Sequence, residues 1–229
     1  MRFNTYLANK KTLNIIHDTS IKEVILEHKT LSRIGRLDTS SLLSLTDAAL
    51  ESGFSPILQW DILCTEDSFE NCIKLLGNLP LSKFEAIRVQ DIGAAEWLRN
   101  EFPEIPLHFI AETGNHNLTG LLRWQEYFGQ QLQRFSLSSE LPLSKLFDYC
   151  RSLTVPCEIL ATGRILLFYT PRKLLSKEEY PKKSYDFIEK ILTPSDQQQR
   201  QFRILENQHG TFMYHHKELF LLDFIPELQ

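Results

Sequence analysis

The chain has 229 residues, 42% of them hydrophobic and 24% charged, with 9 Gly and 10 Pro. That balance excludes a collagen-like repeat, a low-complexity tract and a disordered chain, and it suits one domain with an appendage and a core large enough to fold unaided. The net charge of -4 predicts no long basic face for nucleic acid. No apolar run approaches the ~20 residues of a membrane helix. The opening MRFNTYLANKKTLNIIHD lacks the continuous apolar segment of a secretory signal, so the expectation is a cytoplasmic protein without a membrane partner.

In chain order, VILE (24–27) reads as a strand, and Ser40 to Leu50 as a helix with Leu42, Leu45 and Ala49 on one face and Gly53 as its stop. PILQWDIL (56–63) and AIRVQD (86–91) are the next strands. A helix from Gly93 to Phe102 ends before Pro103. PLHFIAE (106–112) precedes a helix from Asn117, a suitable N-cap, to Phe128 and Gly129. QRFSLS (133–138) leads to a helix from Leu143 to Leu153 with Ser144 near its cap, and CEILATG (157–163) is the sixth strand. Several runs lack period-2 alternation, as strands covered on both faces do. After Ser176 the chain turns polar. FRILEN and TFMYHH then flank QHG as a β-hairpin, and KELFLLDFIPEL is apolar enough to dock on the main body. The expected domains are a βα barrel over 1–176 and a linker, hairpin and docking segment over 177–229.

The strand starts fall about 20–32 residues apart, the spacing of repeated βα units and a parallel sheet. Neither GxGxxG nor GxxxxGK[ST] occurs, which counts against an open nucleotide-binding sheet and favours a barrel. A barrel gathers its strand ends on one rim, where active sites are built. Polar residues mark those ends: Glu27 and His28, Asp61, Gln90 and Asp91, Glu112, Ser138 and Glu140, and Arg164. Asp91, Glu112 and Glu140 follow consecutive strands, and carboxylates gathered there would raise one another's pKa and suit acid/base work. Asp91 as a helix cap and Glu140 as the partner of a basic neighbour are the structural alternatives. Gln90, Arg164, His28 and Asp61 are the candidates for holding substrate, Arg164 by bidentate contact with a carboxylate or phosphate.

No metal or cofactor is expected. Cys64, Cys72, Cys150 and Cys157 form no CxxC pair and read as reduced, mostly buried thiols. Cys64 lies past the end of its strand and Cys157 at the start of its own, opposite ends about 17 Å apart for a five-residue strand, so the set does not converge on a cluster. His28, His108 and His116 with Glu112 lack any metal-ligand spacing, and Ser136 and Ser138 lack a GxSxG elbow.

Four segments resemble the collagenase-like peptidase family U32. AIRVQDIGAAEWL is similar to its V-Q-D-L-G segment, and LQRFSLSSELPLSKL to its L-S-R-E-L segment. EILATGRILLFYTPRKLLS is similar to the signature E-x-F-x-x-G-[SA]-[LIVM]-C-x-x-x-x-G-x-C-x-[LIVM]-S, and FRILENQHGTFMYHHKELFLLDFIPEL to a C-terminal segment with N-G-T-Y and D-L-C-L. Glu158, Gly163, Ile165, Leu175 and Ser176 fall in register with the signature. Leu166 and Lys173 replace its cysteines, Pro171 its second glycine, and Ser139 the arginine of L-S-R-E-L. The family's opening βα unit with G-A-D-A-V-Y is not recognisable. The resemblance implies a TIM-like barrel, here with six or seven strands, and a peptidase whose catalytic residues the motifs do not identify. The Gly163-Arg164 pair is similar to the ubiquinone-hydroxylation branch, which implies an alternative: an accessory or binding protein of prephenate-linked or oxygen-independent RNA or quinone hydroxylation, without its own iron–sulfur cluster. A non-catalytic scaffold relative is the third reading. The partners these readings imply are a peptide or small acidic molecule, an RNA-modification or quinone-pathway protein, and a second copy closing the incomplete barrel as a homodimer.

Overall fold

The computed structural model describes residues 1–112, 117–175, 188–192 and 201–224. His116, Ser176, the polar stretches on either side of 188–192 and the P-E-L at 226–228 lie outside them.

The chain divides into two compact units, 1–110 with 124–135, and 111–123 with 136–229. The first unit opens with a βα pair that the sequence pattern does not reveal: β1 (Phe3–Tyr6) and α1 (Lys10–Ile16), the helix capped by Asn9, whose side chain accepts from Lys11 and Thr12 N–H. β2 (Ile21–Glu27), α2 (Thr39–Glu51), β3 (Ser55–Trp60), α3 (Glu66–Leu76), β4 (Ala86–Val89), α4 (Ile92–Glu101) and β5 (Leu107–Ala111) follow. The pairings from β1 through β5 are parallel and in chain order. α3 is a second unanticipated helix. Its capping box joins Thr65 to Ser68, with Glu66 and Asp67 in its first turn and Lys74 in its last, each favourable to the helix dipole. α5 (Leu118–Phe128) leads to β6 (Leu132–Leu137).

α6 (Leu143–Ser152) takes Pro142, not Ser144, at its N-cap position, with no side-chain cap. The segment expected as a sixth full strand splits. Only β7 (Cys157–Glu158) joins the sheet, and the chain then starts β8 (Thr162–Thr170) of an antiparallel sheet. The parallel sheet runs β1 to β7 in sequence order, so the α/β fold is a TIM-like barrel short of eight strands among the described residues.

The second sheet is ordered β8-β11-β10-β9, with β9 (Ile188–Leu192), β10 (Phe202–Asn207) and β11 (Gly210–Phe220). β10 and β11 form the hairpin expected from QHG. Gly210 sits at φ +117°, and a Cβ there would collide with the Thr170 carbonyl. Among the described residues no helix is long and apolar enough to cross a membrane.

Candidate functional site

Alternation along the strands of the first unit separates two buried faces. One is apolar and meets the helices: Trp60 stacks on Phe69 of α3 and meets the edge of Trp97 of α4, while Phe109 packs on Trp124 and Phe128 of α5. The other face is polar. Glu23, Gln59, Asp61, Arg88, Gln90, His108 and Arg134 are all buried. Barrel interiors are ordinarily filled with branched apolar side chains, so a charged lining needs its own bonding.

That bonding falls into two groups. Near the strand starts, Arg134 Nη1 and Nη2 donate to the two carboxylate oxygens of Glu23 at 2.6 and 2.8 Å. Burial alone would raise the Glu23 carboxyl, but the hydrogen bonds and charge of Arg134 outweigh it and hold Glu23 ionised, below its ordinary range. Near the strand ends, Arg33 donates from its backbone N–H and its Nε to Asp61 Oδ1 and Oδ2, each at 2.8 Å. Gln59 Nε2 donates to Asp61 Oδ2 at 2.9 Å and to the Tyr6 hydroxyl at 3.3 Å. Arg88 Nη1 donates to Gln59 Oε1 and to the Tyr6 hydroxyl, both at 3.0 Å.

Glu27, the last residue of β2, adjoins this second group and takes the opposite protonation state. Its Oε1 is buried without a hydrogen-bond partner among the described residues. Burial, then the negative charge of Asp61, push its carboxyl up to about 8, against the pull of Arg33, Arg88 and Arg36. Burial would also raise Asp61, but Arg33's charge and hydrogen bonds, with that of Gln59, hold it below its ordinary range. At neutral pH Asp61 is therefore a carboxylate and Glu27 a carboxylic acid. Neighbouring carboxyls whose environments push their pKa values apart are a recurrent acid/base arrangement.

Of the residues singled out from the sequence, Asp61 and Gln90 lie on this buried polar face. His28 shares the face of Leu26 instead. Its Nδ1 accepts from Thr30 N–H at 3.0 Å, its Nε2 lies 3.3 Å from the Thr39 hydroxyl, and burial lowers its pKa to about 4, leaving a neutral imidazole that anchors the 28–39 loop. Asp91 is the N-cap of α4: Oδ1 accepts from Ala94 N–H at 2.9 Å and Oδ2 from Cys64 N–H at 3.1 Å. In the second unit, Glu112 is half-buried just past β5, and Glu140 is exposed after β6, its N–H donating to Ser138 Oγ at 3.2 Å. Arg164 corrects the expectation of a rim position: it lies in the antiparallel β8, paired across to Glu218, because the chain leaves the parallel sheet after Glu158. The signature glutamate, Glu158, accepts from Ser136 Oγ at 3.2 Å. Among the described residues no His, Cys, Asp and Glu side chains cluster as a metal site would need.

Sequence reasoning missed Tyr6, Arg33, Gln59 and Arg88. Gln59 and Arg88 carried a usable signal, a polar residue in mid-strand between apolar neighbours, as in ILQWD and AIRVQ.

The sequence over residues 27–229 matches the model of Peptidase family U32. No curated protein matches the sequence. A solved structure, described as "The Structure of the U32 Peptidase Mk0906", is similar in fold, with a TM-score of 0.56 at 13% identity over 72% of this chain and 70% of that one.

Proposed function

The chain belongs to peptidase family U32, and from that premise we propose that it hydrolyses peptide bonds with Glu27 as its proton-transfer group. The observation that carries the reading is a buried, protonated carboxyl at a strand end, one oxygen unpartnered, beside an ionised Asp61. A pKa near the working pH is what general acid/base transfer needs. Glu27 gives its proton to the departing amide nitrogen as water adds to the carbonyl carbon and the C–N bond breaks. The water's proton then restores the Glu27 acid. Asp61 is a positioning residue here: it keeps Glu27 protonated through its charge and holds Arg33 in place. The charges of Arg33, Arg88 and the exposed Arg36 around Glu27 favour an acidic peptide over a basic one.

The test is cleavage of gelatin and of an acidic short peptide by purified protein, with divalent metal ions supplied. Glu27→Gln is expected to lower the rate by about 10²–10⁴-fold, the usual contribution of a general acid. Equal rates in the two proteins would remove Glu27 from the chemistry.

A binding protein without catalysis is the second reading. It is favoured by Asp91: the aspartate of the V-Q-D segment has both oxygens occupied by backbone N–H groups. Under this reading neither protein cleaves, and an acidic peptide binds both with equal affinity.

A further inference from the structure

The segment between β2 and α2, residues 28–37, folds back on the end of β2. Backbone bonds fix its course. Leu31 and Ser32 N–H donate to the His28 carbonyl at 3.0 and 2.9 Å, and Asp61 N–H donates to the Leu31 carbonyl at 3.1 Å. Ser32 Oγ donates to the Gln59 carbonyl at 2.9 Å. At the far end, Leu37 N–H donates to the Glu27 carbonyl at 3.4 Å, and the Leu37 carbonyl accepts from Lys29 N–H at 2.8 Å. Gly35 approaches so closely that a Cβ there would stand 2.5 Å from the His28 carbonyl oxygen and 3.1 Å from that of Glu27. Any larger residue would push the segment off the strand end.

Two arginines ride on this segment and divide their roles. Arg33 is buried and donates to both oxygens of Asp61. Arg36 is exposed, and it stands between Gly35 and Leu37, the two residues that lie against the Glu27 carbonyl. Glu27 is paired with Gln59 in the register of β2 and β3, which sets its side chain on the polar face. The residue as a whole is only partly covered, while its Oε1 is buried and without a hydrogen-bond partner among the described residues. An acid and an exposed cation thus adjoin at one strand end, and the Arg36 charge is among those acting on the Glu27 carboxyl.

We propose that Arg36 binds the free C-terminal carboxylate of the substrate, so that the bond cleaved is the last one of the peptide. The proposal rests on the reading of Glu27 as the acid at the departing nitrogen. In a C-terminal residue a single carbon joins that nitrogen to the carboxylate. Bringing the nitrogen to Glu27 therefore brings the carboxylate to the group beside Glu27. A guanidinium presents parallel N–H donors that match the two oxygens. An aspartate side chain at the same position adds a rotatable bond, and the chain must continue past the 28–37 segment. The reaction consumes one water. Its oxygen bonds to the carbonyl carbon, the C–N bond breaks, and the terminal residue leaves as a free amino acid carrying the Glu27 proton on its nitrogen. The proton released by the water restores Glu27. Arg36 exchanges no proton and acts on binding alone, as a specificity residue.

The test compares three short peptides of one sequence. One ends in a free carboxylate, one in a carboxamide, and one in a carboxamide with aspartate as its last residue. Binding is measured by calorimetry, and products by mass spectrometry. The unaltered protein is expected to bind and cleave the free acid about tenfold better than the amide, the lower end for a hydrogen bond to a charged group because Arg36 is exposed. The gain should fall on KM rather than kcat, with a single amino acid released. Arg36→Gln is expected to make acid and amide equal, and Arg36→Lys to keep part of the preference, since an ammonium retains the charge without the fork. Equal handling of acid and amide by the unaltered protein, an undiminished preference in Arg36→Gln, an aspartate amide as good as the free acid, or internal fragments of gelatin would each overturn the proposal. The binding measurement stands apart from the chemistry. A preference that Arg36→Gln abolishes, with no cleavage by either protein, removes Glu27 as the acid and upholds Arg36 as the carboxylate contact, whereas cleavage without preference does the reverse.

Discussion

Glu23 and Arg134 pair on the polar face of the parallel sheet with side chains 5% and 10% exposed, whereas Arg164 and Glu218 pair on the antiparallel sheet at 33% and 64%. The first pair is joined by two charge-assisted hydrogen bonds; the second is a single approach at 3.6 Å. A buried ion has lost its water and depends on its partner, while an exposed one exchanges a weak contact for solvation. The same residue types therefore carry different weight in the two sheets. In the Glu23–Arg134 pair the partner decides a protonation state, whereas the Arg164–Glu218 pair is a looser contact with a carboxylate mostly in water.

The largest effects should follow from removing one member of a buried pair. Asp61→Asn leaves the Arg33 guanidinium without its carboxylate, and losses of about 3–5 kcal/mol are typical of a buried charge stripped of its partner. Glu27 offers partial relief. Without the Asp61 charge its own pKa falls, and it can ionise toward Arg33 and Arg88. The expected loss in urea unfolding is therefore near the lower end, about 3 kcal/mol, with a Glu27 pKa below 8 by NMR titration. A full 5 kcal/mol loss with an unchanged Glu27 would show that the two carboxyls do not sense each other. Arg134→Met should cost a similar amount by stranding Glu23, and adding Glu23→Leu should restore most of it, since an apolar pair of similar volume is often neutral or stabilising. Additive losses in that double variant would mean that the pair is not an isolated unit.

The next effect is one of pH. The folded-state pKa of Glu27 is raised, so the native protein holds this proton after the unfolded chain has released it. Between the ordinary carboxylate range and about 8, stability from this group falls as pH rises; below that range the group is neutral in both states. Glu27→Gln removes the dependence and should be more stable than the unaltered protein at pH 8.5, by up to about 5 kcal/mol for the full shift, with little difference at pH 4. Asp61 and Glu23 act in the opposite direction. Their folded-state pKa values are lowered, so their contribution is present above the unfolded carboxylate range and is lost as the pH drops through the folded values. Thermal unfolding of Glu27→Gln across that range would separate the two behaviours, and parallel curves for the two proteins would contradict a protonated Glu27.

Much of this architecture is legible in the residues. The strand runs at 24–27, 56–60, 86–89, 107–111 and 133–137 stand in β2 to β6, and the QHG turn joins β10 to β11. What escapes is instructive. FNTY offers β1 no apolar run, because its strand contributes Tyr6 to a hydrogen-bonded network rather than to an oily core. CEILATG has strand composition throughout, yet the chain changes sheets within it, a tertiary choice that local propensity does not encode. The site is harder still. Strand-end carboxylates are readable, but whether one caps a helix, as Asp91 does, or stays protonated, as Glu27 does, depends on neighbours from other strands. Arg33, 28 residues from Asp61, could not be assigned to it from spacing.

The smallest effect sharpens the opening contrast. Arg164 is about one-third exposed, with its Nε and Nη1 covered and without a hydrogen bond among the described residues, and Glu218 is mostly in water. Exposed pairs of this kind contribute about 0–1 kcal/mol. The stem of Arg164 still covers apolar surface, so truncation removes packing as well as charge. Arg164→Met keeps most of the stem and tests the charge alone. Its expected change in urea unfolding is within about 0.5 kcal/mol and should shrink further in 1 M salt, which screens exposed charges. A loss comparable to that of Arg134→Met would mean that the Arg164 charge carries structural weight despite its partial exposure. A negligible loss leaves the Arg164–Glu218 pair as a contact whose charge carries little stability, in contrast to Glu23–Arg134.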